Sequence, residues 1–198
     1  MTRTATIEPT VFYFGTPVVL LTTIMPDGRT NITPISSAWA LGSTYVVGLG
    51  RGNQATANLE RTGEAVLNLV DASMTAGVER IAPTTGATPV PAAKADRYRH
   101  EGDKWHLAGF SPVPSTTVAP DRVGQCPVQI EARLTKVVEL EPGAVAMHLH
   151  AIRTHAHESI VIPGTNHIDL DRWQPLYYTF RHYFAQGERV GVSFKAEQ

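Results

Sequence analysis

Between Thr16 and Leu49 the chain reverses direction repeatedly through connections too short for a crossover, which limits what it can fold into more than any other feature. Thr16 to Thr23 is apolar and β-branched, Pro26-Asp27-Gly28 is a turn, and Thr30 to Ser37 alternates as a returning strand. Thr44 to Leu49 reads as a third strand, and Glu64 to Val70 as a fourth after a short helix. Cys126 to Leu140 and Val145 to Glu158 add two long strands around Glu141-Pro142-Gly143. Parallel neighbours need long crossovers, usually helical, and few helices are available here. The pattern therefore predicts a mainly β chain of about six antiparallel strands, barrel-like, with two short helices.

Composition bounds the rest. A chain of 198 residues with 18% charged and 42% apolar residues suits a single folded domain, 1–198. Its net charge of −1 gives no basic footprint for nucleic acid. One cysteine, Cys126, cannot form an internal disulfide, which points to a reducing, cytoplasmic setting and a buried packing thiol. The apolar run Val18 to Ile24 follows Pro17 without a basic flank or cleavage site, so a buried strand is expected there, not a signal or membrane span.

Residues 1–10 read as a loose arm. Ser73 is placed to cap a second helix whose Met74, Val78 and Ile81 share a face. Pro83 to Arg99 is proline-rich and irregular, the composition of a lid loop. A short helix is expected near Asp169 to Trp173, followed by the aromatic patch Tyr177, Tyr178, Phe180, Tyr183 and Phe184, a core or interface element.

Two stretches carry candidate chemistry. Gly48-Leu49-Gly50-Arg51-Gly52-Asn53 runs from a strand into a helix start, where unpaired N–H groups and the helix dipole favour an anion. Asn53 suits the N-cap, Arg51 offers a fork for phosphate, and Thr62-Gly63 closes the helix. The plain alternative is an ordinary turn with a surface arginine. In Ser36-Ser37-Ala38-Trp39, hydroxyls and an indole could line a flat ring; the alternative is a strand end with a core tryptophan. His148, His150, His155 and His157 do not make a metal set, because strand parity puts the first two and the last two on opposite faces.

The order TPVVLLTT, PDGRTNITPISSAW, GLGRGNQATANLERTGEAVLNLV and AGFSPVPSTTVAPDRVGQCPVQIEA resembles the flavin reductase-like family, the FMN-binding split barrels that include flavoredoxins. The resemblance implies a six-stranded antiparallel split β-barrel of Greek-key type, paired as a homodimer. It implies FMN, with FAD as the alternative, held by Ser36, Ser37, Ala38 and Trp39 and by the helix start at Asn53, Gln54, Thr56 and Asn58. Where the family often has serine-lysine-threonine, this chain has Asn53, Gln54 and Ala55, so Arg51 and Thr56 are the expected substitutes. Tyr183 and His182 join because the family's C-terminal segment can approach the flavin. The implied activity is NAD(P)H:flavin reduction, hydride passing to flavin N5 and on to an acceptor or partner oxygenase, with no catalytic side chain. A flavoredoxin-like electron carrier and a split-barrel oxidase of a small molecule are the alternatives.

Overall fold

The computed structural model describes residues 2–12, 14–140 and 142–195. Seven strands form one antiparallel sheet: β1 (Val19–Ile24), β2 (Thr30–Ile35), β3 (Ala38–Leu41), β4 (Thr44–Gly50), β5 (Glu64–Leu69), β6 (Val128–Glu139) and β7 (Ala144–Ala156). Their spatial order is β2-β1-β5-β6-β7-β4-β3. Six match the sequence expectation; the seventh, β3, is the short Ala38–Leu41 segment that the alternating pattern did not separate from the turn.

That order forces a barrel. At about 4.8 Å per strand, a flat sheet of this size would hold its edges about 29 Å apart. The edges here are β2 and β3, consecutive in sequence and joined by Ser36-Ser37 alone. Three Cα steps span at most about 11 Å, so the sheet must curl until its edges meet. At the seam, the Gly48 N–H donates to the Ser37 carbonyl at 2.8 Å. A Cβ on Gly48 would lie 2.9 Å from the Ser37 Cβ, so only glycine admits this approach.

The chain from Val18 into the first half of β1 is apolar because both its faces are covered. Val19 and Leu21 point into the barrel with Leu67, Ile130, Met147 and Leu149. Val18 and Leu20 point outward, under a second cluster that includes Val78, Ile81 and Phe110. Helix α1 (Gln54–Thr62) buries Ala55 and Leu59 in the first cluster and ends at Gly63, whose φ of 69° and N–H bond to the Leu59 carbonyl fulfil the expected closure. Helix α2 (Thr75–Ile81) buries Val78 and Ile81 in the second, with Met74 just before it. Its entry turn is capped by Asp71, which accepts from the Ser73 N–H, and not by Ser73.

A third helix, α3 (Lys104–Ala108), packs against α2 and covers the outer side of β2. It caps an edge strand: the Thr30 carbonyl accepts from the Trp105 indole at 3.0 Å, and the Ile32 carbonyl from Lys104 Nζ at 2.9 Å. Asp169 to Trp173 forms no helix; it is a turn held by the Asp169 carboxylate on the Asp171 N–H. Tyr177–Thr179 and His182–Phe184 make a small hairpin, and Thr16–Pro17 pairs with its first arm. Residues 2–10 carry no regular secondary structure. Among the described residues no helix is long and apolar enough to cross a membrane.

Candidate functional site

Beside the seam lies an open cleft. One wall is the end of β2, at Thr33 and Pro34, immediately before Ser36-Ser37; another is the start of α1, at Asn53 and Gln54. The third comes from the segment after α2, through Thr84, Gly86, Lys94 and Tyr98, and Lys104 of α3 also lines it. The 83–99 segment is tied at its ends, where Thr84–Thr85 runs parallel to Arg99–His100.

Asn53 has extended dihedrals (φ −81°, ψ 139°) and stands at the N-cap, yet its side chain caps nothing. Its Oδ1 accepts from Lys94 Nζ instead. The N–H groups of Gln54 and Ala55 consequently have no acceptor among the described residues. The helix start thus keeps its donors and its partial positive charge, and adds the Lys94 ammonium within hydrogen-bond reach of the cap. Burial lowers the pKa of Lys94 below the usual lysine value.

Lys104 is nearly buried, 5% exposed. Burial first, then repulsion from Lys94, pulls its pKa down to about 8, against an opposing attraction from Glu101. No aspartate or glutamate lines the cleft among the described residues. Two lysines and no carboxylate give the cleft lining a positive character that suits an anion.

The expected site residues are dispersed. Asn53 and Gln54 line the cleft, whereas Ser36 and Ser37, half-buried along the seam, are not among its lining residues. Ala38 is buried, and Trp39, 58% exposed, stands on the outer edge at β3. Thr56 and Asn58 lie behind the helix start: the Thr56 hydroxyl donates to the Gly50 carbonyl, and Asn58 bridges Gln54 and Thr23. Arg51 and Tyr183 do not line the cleft. The Arg51 guanidinium is paired with Glu60 and Glu139, and the Tyr183 hydroxyl donates to Glu79 at 2.5 Å.

The four histidines take separate partners. His150 meets Ser43, His155 the buried Glu131, and His157 the Gly124 carbonyl, while His148 pairs in register with Lys136. Sequence reasoning missed Lys94 and Lys104. A usable signal was present: only four of the 17 basic residues are lysines, and two of those four converge here.

The profile of the flavin reductase like domain matches residues 11–187. A curated relative, the "uncharacterized protein YdfE" of Bacillus subtilis (strain 168), is 41% identical over 194 residues, 96% of this chain and 93% of that protein. Among solved structures, the flavoredoxin of Desulfovibrio vulgaris (Miyazaki F) superposes with a TM-score of 0.81 at 20% identity, over 98% of this chain and 99% of that one. Nitrilotriacetate monooxygenase component B from Bacillus cereus gives 0.77 at 18% identity, over 97% and 100%. With its split-barrel seam and its matched length, the chain belongs to the flavin reductase like family, a group of flavin-related oxidoreductases.

Proposed function

We propose that the chain is an FMN-dependent oxidoreductase of the NAD(P)H:flavin reductase type, working as a homodimer and passing electrons to an acceptor or a partner oxygenase. The observation that carries this reading is the uncapped start of α1, where two N–H groups are left free because Asn53 is engaged by Lys94. An anionic group fits such a helix start without displacing anything from the core. When bound, the flavin supplies the hydride-accepting and hydride-donating chemistry. The chain's own part is binding and exclusion. The α1 start and the lysines hold the phosphate end, the half-buried Ser36-Ser37 seam offers hydroxyls to the ring edge, and the 83–99 segment acts as a lid that keeps water from the cleft. No side chain is asked to move a proton. The name of the B. cereus relative, a component of a monooxygenase, supports the oxygenase-partner reading.

The reaction is tested by mixing flavin-loaded protein anaerobically with NADH or NADPH and following the flavin absorbance. Bleaching on the timescale of turnover, roughly 1–1,000 per second for typical enzymes, is expected with at least one nucleotide. No bleaching with either leaves an electron carrier in place of a reductase.

The dimer rests on exposed apolar side chains that cluster at one edge. Trp39 and Leu41 stand out from β3, while Phe14 and Phe180 meet edge to face at 4.6 Å. Thr16–Pro17 packs against β3 and pairs with Tyr177–Tyr178, so these groups belong to neighbouring elements. A self-complementary patch of this kind suits a two-fold pair. Leu41→Lys is expected to convert a sedimenting dimer to monomer and to weaken FMN with it, since ligand and subunit binding are linked. A wild-type monomer that retains FMN on dilution would refute the shared arrangement.

A further inference from the structure

We propose that residues 189–194 form an exchanged arm, which leaves its own barrel and lies along β3 of a second copy of this chain, with Val190, Val192 and Phe194 set against Trp39 and Leu41. This arrangement rests on the dimer proposed above and supplies its contact. The arm lies beyond residue 187, where the match to the family domain ends.

The arm alternates: apolar Val190, Val192 and Phe194 are separated by Gly191 and Ser193 and flanked by Arg189 and Lys195. A period of two puts the three apolar side chains on one face of an extended strand. In the single chain nothing covers them, and they are 102%, 75% and 93% exposed. Residues 185–193 carry no regular secondary structure. The base of the arm is held nonetheless: Gln186 donates to the Leu170 carbonyl, and Arg189 pairs with Asp171 at 2.8 Å. An amphipathic segment anchored at its base, with its apolar face in solvent, is short of a surface to cover it.

β3 is the surface that fits. Trp39 and Leu41 stand out from it two residues apart, the spacing of the arm's own apolar side chains. The seam bond from the Gly48 N–H to the Ser37 carbonyl sets the parity of the β3–β4 ladder, so Ala40, opposite Tyr45, turns its N–H and C=O away from β4. The neighbouring Thr16–Pro17 pairs with Tyr177–Tyr178 and not with β3. β3 thus offers a strand edge beside two apolar side chains, which is what strand addition uses. Two arms pairing with each other would fit less well, because an antiparallel pair centred on Val192 sets Arg189 opposite Lys195. The area is of the right size. The exposed parts of the arm's three apolar side chains, Trp39 and Leu41 come to roughly 600 Å² per copy, near the ~800 Å² per partner of a standard interface. Phe14, which meets Phe180 at the same edge, adds to it. Reciprocal exchange sets two arms on two β3 edges and closes as a two-fold pair.

The test compares the full chain, a chain ending at Gly187, and Val192→Asp by sedimentation equilibrium over a range of concentrations. The full chain should dimerise, and both variants should raise the dimer dissociation constant by about 100-fold or more through lost apolar burial. Val192 lies outside the core, so its substitution leaves the barrel intact. The seating is read separately, in a chain carrying both Leu41→Cys and Val192→Cys under mild oxidation. The native Cys126 is buried and does not compete. A disulfide joining two chains is expected. A disulfide closed within one chain would place the arm on its own β3 and overturn the exchange, and no disulfide at all would overturn the seating on β3. A truncated chain that dimerises as tightly as the full one overturns the arm and leaves the dimer standing. A full chain that stays monomeric at every concentration overturns both.

Discussion

Replacing Glu131 with glutamine is expected to remove about 3–5 kcal/mol of stability, the cost typical of breaking a buried charge cluster. Glu131 sits on β6 with no solvent exposure, opposite Val66 of β5 and Arg153 of β7. Its carboxylate accepts from the Thr116 N–H at 2.8 Å and the Thr116 hydroxyl at 2.9 Å, from the Thr117 N–H at 2.6 Å and the Thr117 hydroxyl, and from His155 Nε2 at 2.7 Å. Burial alone would raise its pKa. The hydrogen bonds from Thr117, Thr116 and His155 outweigh burial and hold it at about 2. Because the folded value lies below the unfolded one, near 4.5, this stability is present above pH 4.5 and is lost as pH falls toward 2. A glutamine would aim N–H donors at N–H donors and could not be compensated by solvent. Urea unfolding of wild type and Glu131→Gln across that window checks the claim. Wild type should lose stability steeply and the variant should not. A variant within about 1 kcal/mol of wild type, with the same acid slope, would show that the Thr116-Thr117 segment is held by other means.

The strand pattern was legible because it depended on local properties. The start of β1 showed its double burial in the apolar residues Val18 to Leu21, and the α1 terminus showed itself as Thr62-Gly63. Closure of the barrel was not local. It follows from β2 and β3 lying at opposite ends of one sheet, a fact that pairing decides and periodicity does not. The site divided along the same line. Asn53 and Gln54 were readable as a helix start, whereas Lys94 and Lys104 lie 41 and 51 residues beyond the cap by number and reach it only through the tertiary fold. Arg51 was attractive because it adjoins the helix in sequence. In space it is neighboured by Glu60, in the second turn of α1, and by Glu139 at the end of β6. The strand parity of the histidines failed along β7: Glu131 faces Arg153 and Ala132 faces Ala151, so Ile152 is an extra residue that turns His155 to the same outer face as His148 and His150.

Gln54→Glu is expected to move stability and flavin affinity in opposite directions, a result that an ordinary surface turn could not produce. Gln54 is the first residue of α1, lines the cleft, and stands in a first turn that carries no acidic residue. A carboxylate there would meet the helix dipole, worth about 0.3–1 kcal/mol, and the attraction of Lys94 and Lys104. Against this, glutamate cannot replace the Gln54 amide that donates to Asn58 Oδ1 at 2.9 Å, a loss of about 1 kcal/mol. With two cations to answer the new charge, the balance favours a more stable flavin-free protein. The same charge then stands where the FMN phosphate would be held. It removes the benefit of both lysines and adds repulsion, so FMN affinity should fall by about 100-fold, from two charge-assisted contacts of about 1.5 kcal/mol each. Riboflavin, lacking the phosphate, should lose little. Thermal unfolding without ligand and fluorescence titration with both flavins read the two effects independently. Equal losses for FMN and riboflavin would place Gln54 against the ring, and unchanged FMN affinity would remove the start of α1 from the phosphate site altogether.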